Sequence, residues 1–408
     1  MSVLKNKFGN NLPFVVLLIA AFAVHLFLPL NWADDSIFAN NAANYTLAKF
    51  LSHSARPISD AFTYIFAKWH FLWRIVNPFV LTAFAFFLAK LIPVKDENRL
   101  KINWFFAVSV VYPCMAVVDA GFIATTVNYM YPCLCALIIL NVLKKAFEGK
   151  KIAFWQYLIS IPLTAYATNM QQLGAVMFLV FVCCVIYFAA TKRFVLYTLF
   201  ESLLFLGGIA FALYLNTVGE NNRMVRETAR YFPEFLELNV FQKAELGFSS
   251  TFYNLMMYPH FSYAAFLAFT GFICFCTFKN SEKAAEKLAG TLPVTATAVL
   301  GALSFVPSFS LGYKGYSLDK AIYNFAVIPY LIYIPVIAAI LFSLYKLLGK
   351  TKFLAAFALL FVGLTARMIM GFSPTVWASG QRTFFIMFIA FIAISAMLID
   401  TFKDRKNA

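Results

Sequence analysis

Three features of this 408-residue sequence predict an all-α, multi-pass membrane fold. Hydrophobic residues make up 62% of it and charged residues only 12%, against roughly a quarter in a soluble domain. Mean hydropathy is +0.77. Many windows exceed 18 apolar residues, the length that crosses a hydrocarbon core about 30 Å thick.

Hydropathy with charge punctuation divides the chain into about twelve spans. They lie near 12–30, 71–93, 102–120, 128–143, 152–168, 173–191, 194–216, 261–278, 288–308, 325–345, 353–372 and 382–399. The first follows MSVLKNKFGNN and lacks a small-residue cleavage site, so it reads as an uncleaved span. The whole of 1–408 reads as one transmembrane domain, and no internal repeat is visible.

Charge sets the expected orientation. The segments 1–11, 94–101, 144–151, 192–193, 279–287, 346–352 and 400–408 share one side and hold 20 of the 33 lysines and arginines. The positive-inside rule places that side, with both termini, in the cytoplasm. The same distribution explains the net charge of +15 as topology and anionic-lipid contact, with no basic patch for nucleic acid. Seven cysteines fall within apolar segments, and Cys133/Cys135 and Cys274/Cys276 are CxC pairs without the CxxC spacing of zinc sites. They read as packing thiols.

The two longest loops, 31–70 and 217–260, then face outward. In ISDAFTYIFAKWH, Ile58, Phe62, Ile65, Phe66 and Trp69 follow a helical period. Ile37, Leu47, Phe50 and Leu51 lie in a second helix-compatible stretch. Two interfacial helices are expected in the first outer loop.

Within LPLNWADDSIFANN, Asp34 and Asp35 are adjacent at the mouth of the first span. Successive helical residues point about 100° apart, so one carboxylate at most faces a given cavity. The pair reads as a general base or metal-anchoring group, or else as a cap on its own interfacial helix. Arg223, Arg226 and Arg230 fall at i, i+3 and i+7, one stripe of guanidiniums suited to phosphate oxygens. The competing reading pairs that stripe with Glu220, Glu227 and Glu234. In DAGFIATTVNYMYP, Asp119, Asn128 and Tyr129 suggest a re-entrant turn lining a polar cavity, or a plain interhelical turn. Gln171 and Gln172 offer amides to a hydroxyl-rich ligand, or to backbone. Arg382 heads the last span, where it snorkels or holds a phosphate. Arg74 and Arg367 lie inside spans and call for partners. The sequence contains no HExxH, GxSxG, Walker or GxGxxG motif, which leaves ATP-driven transport and the common hydrolases unsupported.

An acidic pair after the first span, interfacial helices in the first outer loop and a multi-span body resemble the GT-C class of glycosyltransferases. More narrowly, WADDSIFAN, the HSARPISDAF arginine (Arg56), VNYMYP, TVGENNRMVR and SGQRTFF are similar to bacterial polytopic proteins grouped with O-antigen and cell-wall glucosyltransferases. Ala55 precedes Arg56 where that pattern has glycine, and Tyr131 replaces a tryptophan. The resemblance implies transfer of a sugar from a polyprenyl-phosphate donor to a glycan or glycolipid acceptor, with inversion, on the outer face of a bacterial inner membrane. It implies Asp34 or Asp35 as base, and Arg56, Arg223, Arg226 and Arg382 on the donor phosphate. Asp119, Asn128, Tyr129, Gln171 and Gln172 would then meet sugar or acceptor. The resemblance names no cofactor, and a divalent cation at the acidic pair stays open. Two rivals remain: a polysaccharide polymerase or ligase, and a secondary transporter with midplane ion sites.

Overall fold

A computed structural model describes residues 9–52, 54–217, 223–306, 309, 311 and 321–402. Among these residues every regular element is helical. Eight helices among the described residues are long and apolar enough to cross a membrane, so the chain is a multi-pass membrane protein. The expected count of about twelve is not reached on length and apolarity alone. The helix at Phe154–Ala167, for example, has 14 residues, about 21 Å of rise.

The chain forms two compact units, Met1–Arg223 and Met224–Ala408. In the first, α1 (Leu12–Phe27) is followed by three short helices, α2 (Asp34–Asn44), α3 (Leu47–Leu51) and α4 (Pro57–Lys68). The sequence implied two interfacial helices here; the stretch holding Ile37, Leu47, Phe50 and Leu51 divides into α2 and α3, and Thr46 caps α3 by accepting from Lys49 N–H at its hydroxyl. Ala42, Tyr64 and Ala67 form a small core with Phe38, Phe50 and Ile65, so the loop is a packed layer of its own.

After it come α5 (His70–Leu91), α6 (Asp96–Ser109), α7 (Val111–Ala116) and α8 (Phe122–Phe147). The span expected at 102–120 is instead α6 and α7, parted at Val110, with a 3-10 turn at Val118–Ala120. A second correction concerns α8: residues 122–131 are no re-entrant turn but the first turns of that helix, π-wound at Thr126–Met130. Polar residues persist there because each returns a hydrogen bond to its own helix. Thr125 Oγ1 donates to Gly121 O, Thr126 Oγ1 to Phe122 O and Asn128 Nδ2 to Ala124 O. Three further helices, α9 (Phe154–Ala167), α10 (Gln171–Ala190) and α11 (Leu196–Thr217), complete the unit.

Arg74 resolves as a structural cation. Its guanidinium donates to the carbonyls of His25, Leu26 and Leu28, the orphan acceptors at the C-terminal end of α1. Next to it, Asn77 Nδ2 lies 2.8 Å from His25 Nε2, and His25 Nδ1 lies 2.6 Å from Ala21 O.

The second unit holds α12 (Arg223–Tyr231, entering from the first), α13 (Val240–Met256), α14 (Phe261–Asn280), α15 (Ala284–Leu303), α16 (Tyr330–Met368) and α17 (Phe385–Phe402). The helix α16 is broken at Gly349, whose φ of 69° ends one helix and starts another. This break separates the spans expected at 325–345 and 353–372. A core of Phe232, Phe235, Leu238, Leu246, Ala321, Val376 and Trp377 packs around α13. There backbone meets backbone: a Cβ on Gly247 would lie 2.1 Å from Met368 O, and one on Gly371 2.1 Å from Lys243 O.

Arg367 is buried, donating from Nη2 to Val376 O at 3.2 Å with its guanidinium 4.7 Å from the Phe384 ring. All seven cysteines are free thiols.

The two glycine contacts yield a prediction. Gly247→Ala or Gly371→Ala drives a methyl into backbone that cannot turn aside, and each should cost about 3 kcal/mol or abolish folded yield. Gly349→Ala meets no neighbouring atom and pays only for its backbone conformation, about 1 kcal/mol. Thermal melts of the purified variants should preserve that order.

Candidate functional site

The structure separates the two aspartates sharply. Asp35 is fully buried, and its carboxylate closes the N-terminus of α8: Oδ2 accepts from Ile123 N–H at 2.9 Å and Oδ1 from Ala124 N–H at 2.8 Å. A helix N-terminus presents unpaired N–H groups and a positive dipole end, so a carboxylate is the natural partner. Asp35 is thus a cap, but of a distant helix and not of its own. Asp34, one position earlier, turns away and is half-buried, with no hydrogen bond or ion pair to a described residue.

The chain takes two unusual backbone conformations to make that contact. Ala33 has φ of 46°, and Gly121 has φ of 113°. A Cβ on Gly121 would stand 2.6 Å from the Asp35 carboxyl, so only glycine lets the two segments close. Trp32 Nε1 donates to Val118 O at 3.0 Å and clasps the same pair of segments. On the other side, Trp73 Nε1 donates to Thr126 Oγ1 at 3.0 Å, which fixes the π-wound turn.

A second long-range cap holds α4. Asn169 Oδ1 accepts from the N–H groups of Ile58 (3.2 Å) and Ser59 (3.3 Å), the first orphan donors of that helix. Phe62 stacks on Tyr166 with centroids 5.3 Å apart, and Tyr166 donates to Val127 O. The layer α2–α4 is therefore pinned at both ends to α8 and to the α9–α10 corner. Asn169 stands two residues before Gln171, whose amide the sequence offered as a ligand group, and its own amide serves the backbone of α4.

Burial pushes the Asp35 carboxyl up to about 6, while the N–H groups of Ala124, Ile123 and Phe122 pull it back and Asp34 adds a smaller upward push.

The other expected site residues divide by unit. In the first, Arg56 precedes α4 and is half-buried, with its N–H donating to Ser54 Oγ. Because α4 packs on α2, Arg56 and Asp34 belong to one helix layer. Asp119 is exposed in the 3-10 turn that leads into the Asp35 contact. Asn128 and Tyr129 are half-buried on the π-wound turn, and Asn128 Oδ1 is enclosed without a partner. Gln171 is exposed; Gln172 is buried, its Nε2 unpaired.

In the second unit, Arg226 makes a 3.5 Å contact with Glu227 and is mostly exposed, so the stripe is only loosely neutralised. Arg230 lies 4.8 Å from the Tyr231 ring. The Arg223 side chain and Glu220 fall outside the described residues. Arg382 is half-buried, and its Nε donates to Ser379 O. An acid that the sequence reading missed stands here too: Glu245 Oε1 accepts from Tyr330 OH at 2.5 Å, and burial raises its carboxyl.

The acidic pair fits a divalent cation poorly. Both Asp35 oxygens are taken by backbone N–H groups, and no three of His, Cys, Asp and Glu converge among the described residues.

Fold and site together define a multi-pass membrane protein with a braced layer of short helices in which the Asp34 carboxylate has no partner among the described residues. The chain matches no family model, no curated relative and no solved structure.

Two stability predictions follow from the Asp35 contact. Asp35→Ala leaves two buried N–H groups without partners and should cost about 2–4 kcal/mol, read as a lower melting temperature. The second concerns pH. The folded chain takes up the Asp35 proton near pH 6, whereas the ordinary value is 3.8. A raised folded value makes stability rise as pH falls through that window. The stability of wild type relative to Asp35→Asn should therefore climb between about pH 6 and pH 4 in parallel melts.

Proposed function

We propose that this chain is a GT-C-type membrane glycosyltransferase, moving a sugar from a polyprenyl-phosphate donor to a glycan or glycolipid acceptor. The observation that carries the reading is the asymmetry of the acidic pair. Asp35 is spent on holding the backbone, and Asp34 is left partly open on a rigid layer beside the first span.

In this reading Asp34 is the base. The acceptor hydroxyl oxygen attacks the anomeric carbon, and its proton passes to the Asp34 carboxylate. The bond from that carbon to the phosphate oxygen breaks, and the lipid phosphate leaves with the electron pair. A single displacement inverts the anomeric centre. The departing phosphate asks for positive charge where its own charge grows. Arg56 is the first unit's candidate, since it shares the helix layer with Asp34. Arg223, Arg226 and Arg382 are carried as donor-phosphate cations on their sequence pattern, and Asn128, Tyr129, Asp119, Gln171 and Gln172 as groups that meet sugar or acceptor.

The same reading places the protein in a bacterial inner membrane, with both termini cytoplasmic and the braced layer on the periplasmic face. It rests there on the lysine and arginine distribution.

Sugar transfer in proteoliposomes, with a polyprenyl-phosphate sugar and a panel of acceptor lipids, tests the assignment. Asp34→Asn should insert and melt like wild type yet lose about 10²–10⁴-fold in kcat, the usual contribution of a general base. Full transfer by Asp34→Asn removes Asp34 from the reaction, and absence of transfer by wild type with every donor removes the reading itself.

A further inference from the structure

The helices α9, α10 and α11 contain no lysine, arginine or histidine, and a single acid, Glu201. Glu201 sits in the span Leu196–Asn216 and is completely buried. Its surroundings are hydroxyls. Thr164 Oγ1 donates to Oε2 at 2.9 Å, and Ser160 Oγ and Tyr197 OH, 2.8 Å from each other and hydrogen-bonded together, stand beside the carboxyl. All three are buried. The second oxygen, Oε1, is enclosed and has no partner.

The cage is sealed by close packing. A Cβ on Gly208 would meet Thr168 at 2.6 Å, which brings α11 hard against the end of α9. Around Tyr197 stand the rings of Tyr157 (5.3 Å) and Phe181 (6.2 Å), and Phe181 stacks on Phe205. The nearest base in sequence, Arg193, is committed elsewhere: it donates to Ala146 O and lies over the Phe188 ring. The remaining ionisable groups on the three helices are tyrosines and the thiols Cys183 and Cys184, neutral at physiological pH.

A bare carboxylate does not persist in such a place. In hydrocarbon surroundings, without a basic partner, it must be neutralised by something that arrives with it. The oxygen set here is one carboxyl and three hydroxyls, hard donors with a single negative charge. Two acids would suit a divalent ion; one suits a monocation. We propose that Glu201, Ser160, Thr164 and Tyr197 form a buried monocation site within the first unit, occupied by a proton or by Na⁺. The site is independent of the transfer chemistry assigned to Asp34.

The test is thermal unfolding of the purified full chain in detergent, from pH 5 to pH 9, with N-methylglucamine as the bulk cation and then with Na⁺ added. An acid that keeps its proton in the fold but loses it on unfolding makes stability fall as pH rises. Wild type should melt lower at pH 9 than at pH 5. Glu201→Gln, a neutral isostere, should match wild type at pH 5 and lose that part of the slope. If Na⁺ restores the wild-type midpoint at pH 9 in a saturable way, and leaves Glu201→Gln unmoved, the occupant is sodium; if it restores nothing, the occupant is the proton. Superimposable pH and Na⁺ responses of wild type and Glu201→Gln overturn the site. Should Glu201→Gln fail to fold, Thr164→Ala takes its place: it must move the pH at which stability declines, and an unmoved decline overturns the proposal.

Discussion

The carboxylate of Asp35 and the first N–H groups of the helix beginning at Phe122 satisfy one another across 88 and 89 residues of chain. Neither group would tolerate burial alone. The acid would be driven to its protonated form, and the helix would carry unpaired donors into the interior. Joined, they bring the first loop onto the start of α8 and force the left-handed turn at Gly121. They also dictate which way the residue before Asp35 must face. Asp34 owes its accessibility to that constraint, because neighbours on a helix diverge by about 100°.

Asn169 repeats the device with a neutral amide at α4, and Arg74 inverts it, with a cation answering carbonyls at the end of α1. Three side chains remote in sequence thus finish three helix ends. In a lipid environment this is economical, since water is not there to complete a helix terminus and the last turns must find partners within the protein.

Much of the helical layout was legible in the sequence because hydrocarbon thickness imposes length and apolarity together. The spans 173–191, 194–216 and 261–278 lie close to the helices Gln171–Ala190, Leu196–Thr217 and Phe261–Asn280. Errors arose where polar residues hid inside helices. Thr125, Thr126 and Asn128 read as a turn, yet each is absorbed by a carbonyl one turn back. The acidic pair was legible as a site, and the roles within it were not, because the partner of Asp35 is backbone and leaves no mark in the side-chain sequence. Glu201 was missed for a related reason. A lone polar residue in an apolar stretch shows its meaning only once the facing helix is known.

The Arg74 contact bears on how the protein is made. While α1 emerges alone, the carbonyls of His25, Leu26 and Leu28 have no partner, and Arg74 on α5 is a charge that hydrocarbon rejects. Each defect is removed only by the other. The contact therefore couples the two helices, and the forty-odd residues between them are held as a loop tethered at both ends. The layer that carries Asp34 is thus given its place by an arginine that takes no part in whatever that layer does.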